Sequence, residues 1–115
     1  MALTASISER RARLEAELAR FLPLLAGPGH AERVILFGSF ARGEDGAESD
    51  LDLVVVKRTN LPFWKRVSEI RQLLKPRVAA DVIVYTPEEI EQMGKDRPFV
   101  RDEILGRGRV LYERP

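Results

Sequence analysis

The chain has 115 residues, 44% hydrophobic and 32% charged, with a formal net charge of +1 at pH 7, the balance of one ordinary globular domain. No apolar run approaches the ~20 residues of a membrane-spanning helix, and the near-neutral charge gives no global electrostatic case for wrapping nucleic acid. Cysteine is absent, which removes disulfides, thiolate zinc sites and cysteine nucleophiles.

The first element is expected as an amphipathic helix over about 4–22. Thr4 or Ser6 can cap it, and Ile7, Leu14, Leu18, Phe21, Leu22 and Leu25 recur at helical spacing with Arg and Glu opposite. Its opening residues are charged where a secretory leader would be apolar, so a cytoplasmic location is expected. The Pro/Gly turn in "LAGPGH" closes the helix and carries His30, the one histidine of the chain. A loop position there suits an exposed side chain better than a catalytic base. With no zinc-type ligand set, any metal would be held by oxygen, favouring magnesium, calcium or manganese.

Three apolar runs then read as strands: Arg33–Phe37, Leu51–Lys57 and Val78–Tyr85. Between the second and third, Phe63, Val67, Ile70 and Leu74 fall at helical spacing from Pro62, and Pro76 ends the segment. Lys57, Arg58, Lys65, Arg66, Lys75 and Arg77 read as mostly solvated, and Phe63 as core. "TPEEIEQM" carries a capping Thr86, a proline at the first helical position and acids in the first turn. A short helix in "RPFVRDEILGRG" and an edge strand over Val110–Glu113 complete the chain. The sum is one small α/β domain, a mixed sheet flanked by helices, with a core over 33–86 and C-terminal helices and edge strand over 87–115.

The unusual stretch is "VILFGSFARGEDGAESDLDLVVV". Residues two apart on a strand point to the same face, about 6.5–7 Å apart at the backbone, so Asp50 and Asp52 project together while Leu51, Leu53 and Val55 face the core. Two like charges so placed are costly unless a cation or donors compensate. Asp81 interrupts the third apolar run, where an unpaired carboxylate would again be costly. A helical crossover would lay the second and third strands parallel and bring Asp81 beside Asp50 and Asp52. Three carboxylates at one point suit metal-assisted chemistry on a phosphate. The plainer alternative keeps Asp50 as a turn cap and Asp52 at a wet strand end, with Ser49 closing the turn, and leaves Asp81 to be explained separately. Gly38 permits close backbone approach and Ser39 can open a short helix through Arg42 that Gly43 breaks, a possible anion site. Arg42 can reach a phosphate or lie solvated.

"GSFARGEDGAESDLDL" resembles the signature of the DNA polymerase β-type nucleotidyltransferase superfamily: Gly-Ser, ten residues, then Asp-x-Asp. The short chain is similar to the minimal nucleotidyltransferases paired with HEPN-domain toxins, and "VILFGSFARG", "SDLDLVVV", "ADVIVYTPEE" and "ILGRGRVLYER" carry the likeness along most of its length. The resemblance implies a polymerase β palm-like nucleotidyltransferase domain. In it Gly38, Ser39, Arg42 and Gly43 form the nucleotide-binding turn, and Asp50, Asp52 and Asp81 are the catalytic residues and metal ligands. Asp81 would help deprotonate the attacking hydroxyl. The implied cofactor is Mg2+, with Mn2+ possible. The implied reaction moves AMP from ATP to a hydroxyl, in those relatives a tyrosine of the toxin. Two other functions stay open: a binding antitoxin that occludes its partner, and a nucleotide-binding regulatory module. Leu61, Phe63, Trp64, Phe99 and Val100 are candidate contact residues for a HEPN partner or a second copy.

Overall fold

The computed structural model describes residues 2–43 and 50–115, with side chains described from residue 9 onward. Among these residues nine elements follow in order: α1 (Ala2–Ala26), β1 (Arg33–Phe37), α2 (Gly38–Ala41), β2 (Leu51–Val56), α3 (Phe63–Leu74), β3 (Ala80–Tyr85), α4 (Pro87–Asp96), a π-helix (Phe99–Gly106) and β4 (Arg109–Glu113). The strands form one mixed four-stranded sheet in the order β3-β2-β1-β4. β1 runs antiparallel to both β2 and β4, while β2 and β3 pair in parallel through the α3 crossover.

Both faces of the sheet are covered. On one, Leu14, Phe21 and Leu25 of α1 and Ile70 and Leu74 of α3 pack on Val34, Leu36, Leu51, Leu53, Val55, Val82 and Val84. On the other, Ile90 of α4 with Val100 and Ile104 of the π-helix packs on Ile35, Phe37, Val54 and Val56. This double burial is why β2 reads as the unbroken run Leu53–Val56 after its aspartate, the pattern of a central strand. Truncating Leu53, which is fully buried, would cost about 2–5 kcal/mol through lost transfer energy and the cavity left behind.

Several expectations shift. The first helix runs past Leu22 to Ala26, with Pro23 inside it. Thr4 and Ser6 lie within the helix rather than before it, and their side chains, with that of Ile7, fall outside the described ones. Proline so near a C-terminus disturbs little of the helix beyond it. The strands shorten to Leu51–Val56 and Ala80–Tyr85, and α2 ends at Ala41 with Arg42 as its C-cap. Thr86 makes the full capping box with Glu89. The segment after Pro98 is wound as a π-helix, shown by the Arg107 N–H donating to the Asp102 carbonyl five residues back.

Two cations read as solvated are structural. Lys57 is buried, with Nζ 3.1 Å from a Glu69 carboxylate oxygen. Arg66 is also buried; it donates to both Glu89 carboxylate oxygens at 2.7 and 3.2 Å and to the Leu61 carbonyl at 2.8 Å. One planar fork thus joins α3, the loop before it and α4. A second tie fixes the far end of the crossover. Arg20, held by Glu17, donates to the Leu74 and Lys75 carbonyls at 2.8 and 3.1 Å, and Glu17 accepts from the Arg77 N–H at 2.8 Å. The carbonyls left unpaired at the end of α3 are thereby satisfied by α1.

Arg66→Met is expected to lower unfolding free energy by about 2 kcal/mol in urea titrations, with Arg66→Lys recovering less than half, because a point charge cannot replace the fork. The Arg66 hydrogen bond, against an opposing contribution from burial, holds the Glu89 carboxyl below its ordinary range. This contribution is therefore present above that range and fades as pH falls through the lowered value. The stability gap between the native chain and Glu89→Gln should close correspondingly on acidification.

Candidate functional site

The carboxylates meet at one end of the sheet. Because β1 is antiparallel to β2 and β3, its C-terminal end lies beside the N-terminal ends of those two strands. Phe37 is the register partner of Asp52, and Asp52 is the register partner of Asp81. Partners in adjacent strands share a face, so Phe37, Asp52 and Asp81 form a row across three strands. Asp50 stands two residues before Asp52, immediately ahead of the strand. The expected convergence of the second and third strands thus follows from their parallel pairing.

Gly38 turns the chain from β1 into α2 at φ +82°, a left-handed conformation open to glycine at little cost. A Cβ there would collide with Asp52 Oδ2. Glycine is needed twice over, for its dihedral and for the space the carboxylate fills. Ser39 follows in the first turn of α2, half-buried, and Phe40 anchors that turn in the core. Gly43 also takes positive φ, at +74°, in open space. Ser49 lies outside the described residues.

Three contacts at the site have no signal in the sequence. Arg42 Nη1 donates to Glu103 of the π-helix at 3.0 Å. Arg10 of α1 approaches Asp50, with 3.7 Å between nitrogen and oxygen. Arg11 lays its guanidinium 5.6 Å from the centre of the Phe40 ring. The first helix and the π-helix therefore flank the turn from opposite ends of the chain, which periodicity along either one does not disclose.

Electrostatics single out Asp52. Burial, then the Asp81 and Asp50 charges, push its carboxyl above the usual range, and Arg42 offsets this only in part. An excess of oxygen-borne negative charge is the donor chemistry of a hard divalent cation. Among the described residues, no group of three His, Cys, Asp or Glu forms a preformed cluster able to hold an ion. Magnesium commonly takes one or two carboxylates and completes its shell with water and substrate phosphates, so the row fits such an ion when a phosphate arrives with it.

The expected contact residues divide. Phe63 and Trp64 are 50% and 67% exposed, so Phe63 is not core. Phe63 lies over Tyr85 with ring centres 6.1 Å apart, lining an apolar groove of about 490 Å³ with Met93. Leu61 is half-buried and Val100 buried, whereas Phe99 is exposed at the edge of the site. His30 is exposed in its loop at φ 55°.

Comparison with known proteins bears on the family and the fold. Residues 16–111 match the family model described as a nucleotidyltransferase domain. A candidate protein adenylyltransferase of Methanocaldococcus jannaschii is 36% identical over 84 residues, covering 73% of this chain and 81% of that protein. The crystal structure of a candidate nucleotidyltransferase from Sulfolobus solfataricus superposes with a TM-score of 0.69 at 22% identity, over 95% of this chain and 88% of that one. A toxin–antitoxin structure with AMP-PNP is a remoter likeness, with a TM-score of 0.46 at 18% identity over 83% of this chain and 72% of that one.

Asp52→Asn should raise the melting temperature in EDTA at pH 7 by about 2–4 °C. The sign follows from the raised pKa: folding opposes ionisation of Asp52, so its contribution is favourable below the ordinary carboxylate range and is lost as pH rises through the folded value. The gap between variant and native chain should therefore narrow as pH is lowered toward about 4. Gly38→Ala should instead lower stability by at least about 1 kcal/mol in urea titrations at pH 7.

Proposed function

The chain belongs to the nucleotidyltransferase domain family and is a transferase of that type; on that premise we propose that it moves AMP from ATP onto a hydroxyl of a partner protein. The observation that carries the proposal is the register row of Asp52 and Asp81 beneath the Gly38–Ser39 turn, with Asp50 adjoining. The name of the M. jannaschii relative supports a protein as acceptor and adenylate as the group moved.

In this reading the Ser39 hydroxyl and the amides of its turn hold the β- and γ-phosphates, with Arg42 and Gly43 at the far side of the turn. A divalent cation, magnesium or manganese, held by Asp50, Asp52 and Asp81 would neutralise charge on the phosphates during displacement. The acceptor oxygen forms a bond to the α-phosphorus, the bond from that phosphorus to the bridging α,β-oxygen breaks, and pyrophosphate carries away the electron pair. Asp81, exposed at the start of its edge strand, takes the proton from the acceptor hydroxyl. The open side of Asp81 leaves room for an acceptor delivered by another chain.

The acceptor we propose is a tyrosine hydroxyl on a HEPN-domain toxin, modification of which would silence the toxin. The likeness of the Gly-Ser and Asp-x-Asp signature to minimal nucleotidyltransferases supports this. The exposed Trp64, and Phe63 lining its apolar groove, favour contact with a partner, and also favour the second reading, neutralisation by occlusion alone.

Incubation with ATP labelled at the α-phosphate, magnesium and the product of the adjacent gene distinguishes the two readings. Label retained on the partner after denaturation is expected. Asp81→Asn should slow transfer by about 10²–10⁴-fold at saturating ATP and magnesium, and EDTA should abolish transfer. Tight binding and neutralisation of the partner without label, by the native chain and by Asp50→Asn/Asp52→Asn alike, would favour occlusion.

A further inference from the structure

The row of register partners continues beyond the carboxylates into Phe37, and Phe37 is covered by a second aromatic ring. Phe99, the first residue of the π-helix, packs edge-on against Phe37, with ring centres 5.8 Å apart and planes at 84°. Phe37 is buried, whereas Phe99 keeps 51% of its surface exposed. One ring thus fills the gap beside Asp52, and the other stands over it with a free face. Four residues on, Glu103 of the same π-helix holds the guanidinium of Arg42. The π-helix therefore forms a wall of the site that carries an exposed aromatic ring and fixes the arginine at the end of the Gly38–Ser39 turn.

Packing on Phe37 accounts for the edge of the Phe99 ring and not for the half left exposed. Val100 and Ile104 already close the core beneath the π-helix, and an aromatic ring left half in water contributes little there. An exposed ring beside a carboxylate row has a specific chemical use, since a nucleobase has a π-face that stacks on such a ring.

We propose that Phe99 is the platform on which the nucleobase of the donor nucleotide stacks, setting base binding separately from the triphosphate turn. The inference rests on the nucleotidyl-transfer reading of the site and adds to it the residue that engages the base. The base lies against the free face of Phe99, the edge of that ring stays on Phe37, and the phosphates extend past Asp52 toward Ser39. Because stacking tolerates any base, Phe99 supplies affinity for nucleobases as a class.

The test measures binding by the full chain of ATP and of ribose 5-triphosphate, each with magnesium, by calorimetry. Phe99→Leu keeps apolar bulk over Phe37 and removes the π-face. It should weaken ATP binding by about 5- to 50-fold and leave ribose 5-triphosphate unchanged, while Phe99→Tyr restores ATP affinity. A second reading uses Phe99→Trp in a Trp64→Phe background, where the introduced indole is the only one in the chain. ATP should quench its emission and ribose 5-triphosphate should not. Equal ATP affinity for the native chain and Phe99→Leu, or equal loss of both ligands, would overturn the stacking assignment. So would an unchanged ATP affinity with a raised KM for the acceptor, which would give the ring to the acceptor instead. Failure of the native chain to bind ATP at all would overturn the nucleotidyl-transfer reading itself.

Discussion

The structure depends on one pairing, the parallel register of β2 and β3 that sets Asp52 against Asp81. Shifting either strand by one residue would turn its aspartate into the α1–α3 core. The register is held because the α1–α3 face is closed by apolar side chains and does not accept a carboxylate. The α3 crossover then makes the pairing parallel, and its two ends are pinned by the Arg66–Glu89 fork and by the Glu17–Arg20 clasp. None of these ties touches the carboxylates. Their effect is to fix where two strands begin.

The site works against the fold that positions it. Asp52 is half-buried, its neighbours carry the same charge, and Arg42 compensates only partly while it is held by Glu103. The removal of Cβ at residue 38 gives the Asp52 carboxylate its space, at the expense of glycine's backbone entropy. Such a cluster is poorly suited to stability and well suited to a ligand that brings its own cation and phosphates. Local conflict between sequence and stability is where a functional site is expected.

Much of this was legible in the residues because it is local. Strand β1 follows from an apolar run cut by Gly-Ser, α4 from a capping Thr with Pro and Glu behind it, and the shared face of Asp50 and Asp52 from the two-residue period of a strand. The parallel placement of Asp81 followed from the intervening helix. What escaped was set by tertiary contact. Arg66 looks like any helix-surface cation until Glu89 arrives from the next helix, and Phe63 looks like core until α3 is seen to turn its first residues outward. Arg10 and Glu103 reach the site from helices far apart in the chain, and no spacing rule joins them to Asp50 or Arg42. The π-helix was invisible because its apolar residues, Val100 and Ile104, suit an α-helix equally well.

The central claim is that Asp52 and Asp81 act on the nucleotide as one unit defined by strand register. A double-mutant cycle on single-turnover AMP transfer measures this directly, comparing the native chain, Asp52→Asn, Asp81→Asn and the double variant at saturating ATP and magnesium. Groups that act together lose their effect together, so the double variant should be about as slow as the slower single one. Losses that simply multiply would show two independent carboxylates, and the register pairing would then have no part in the chemistry.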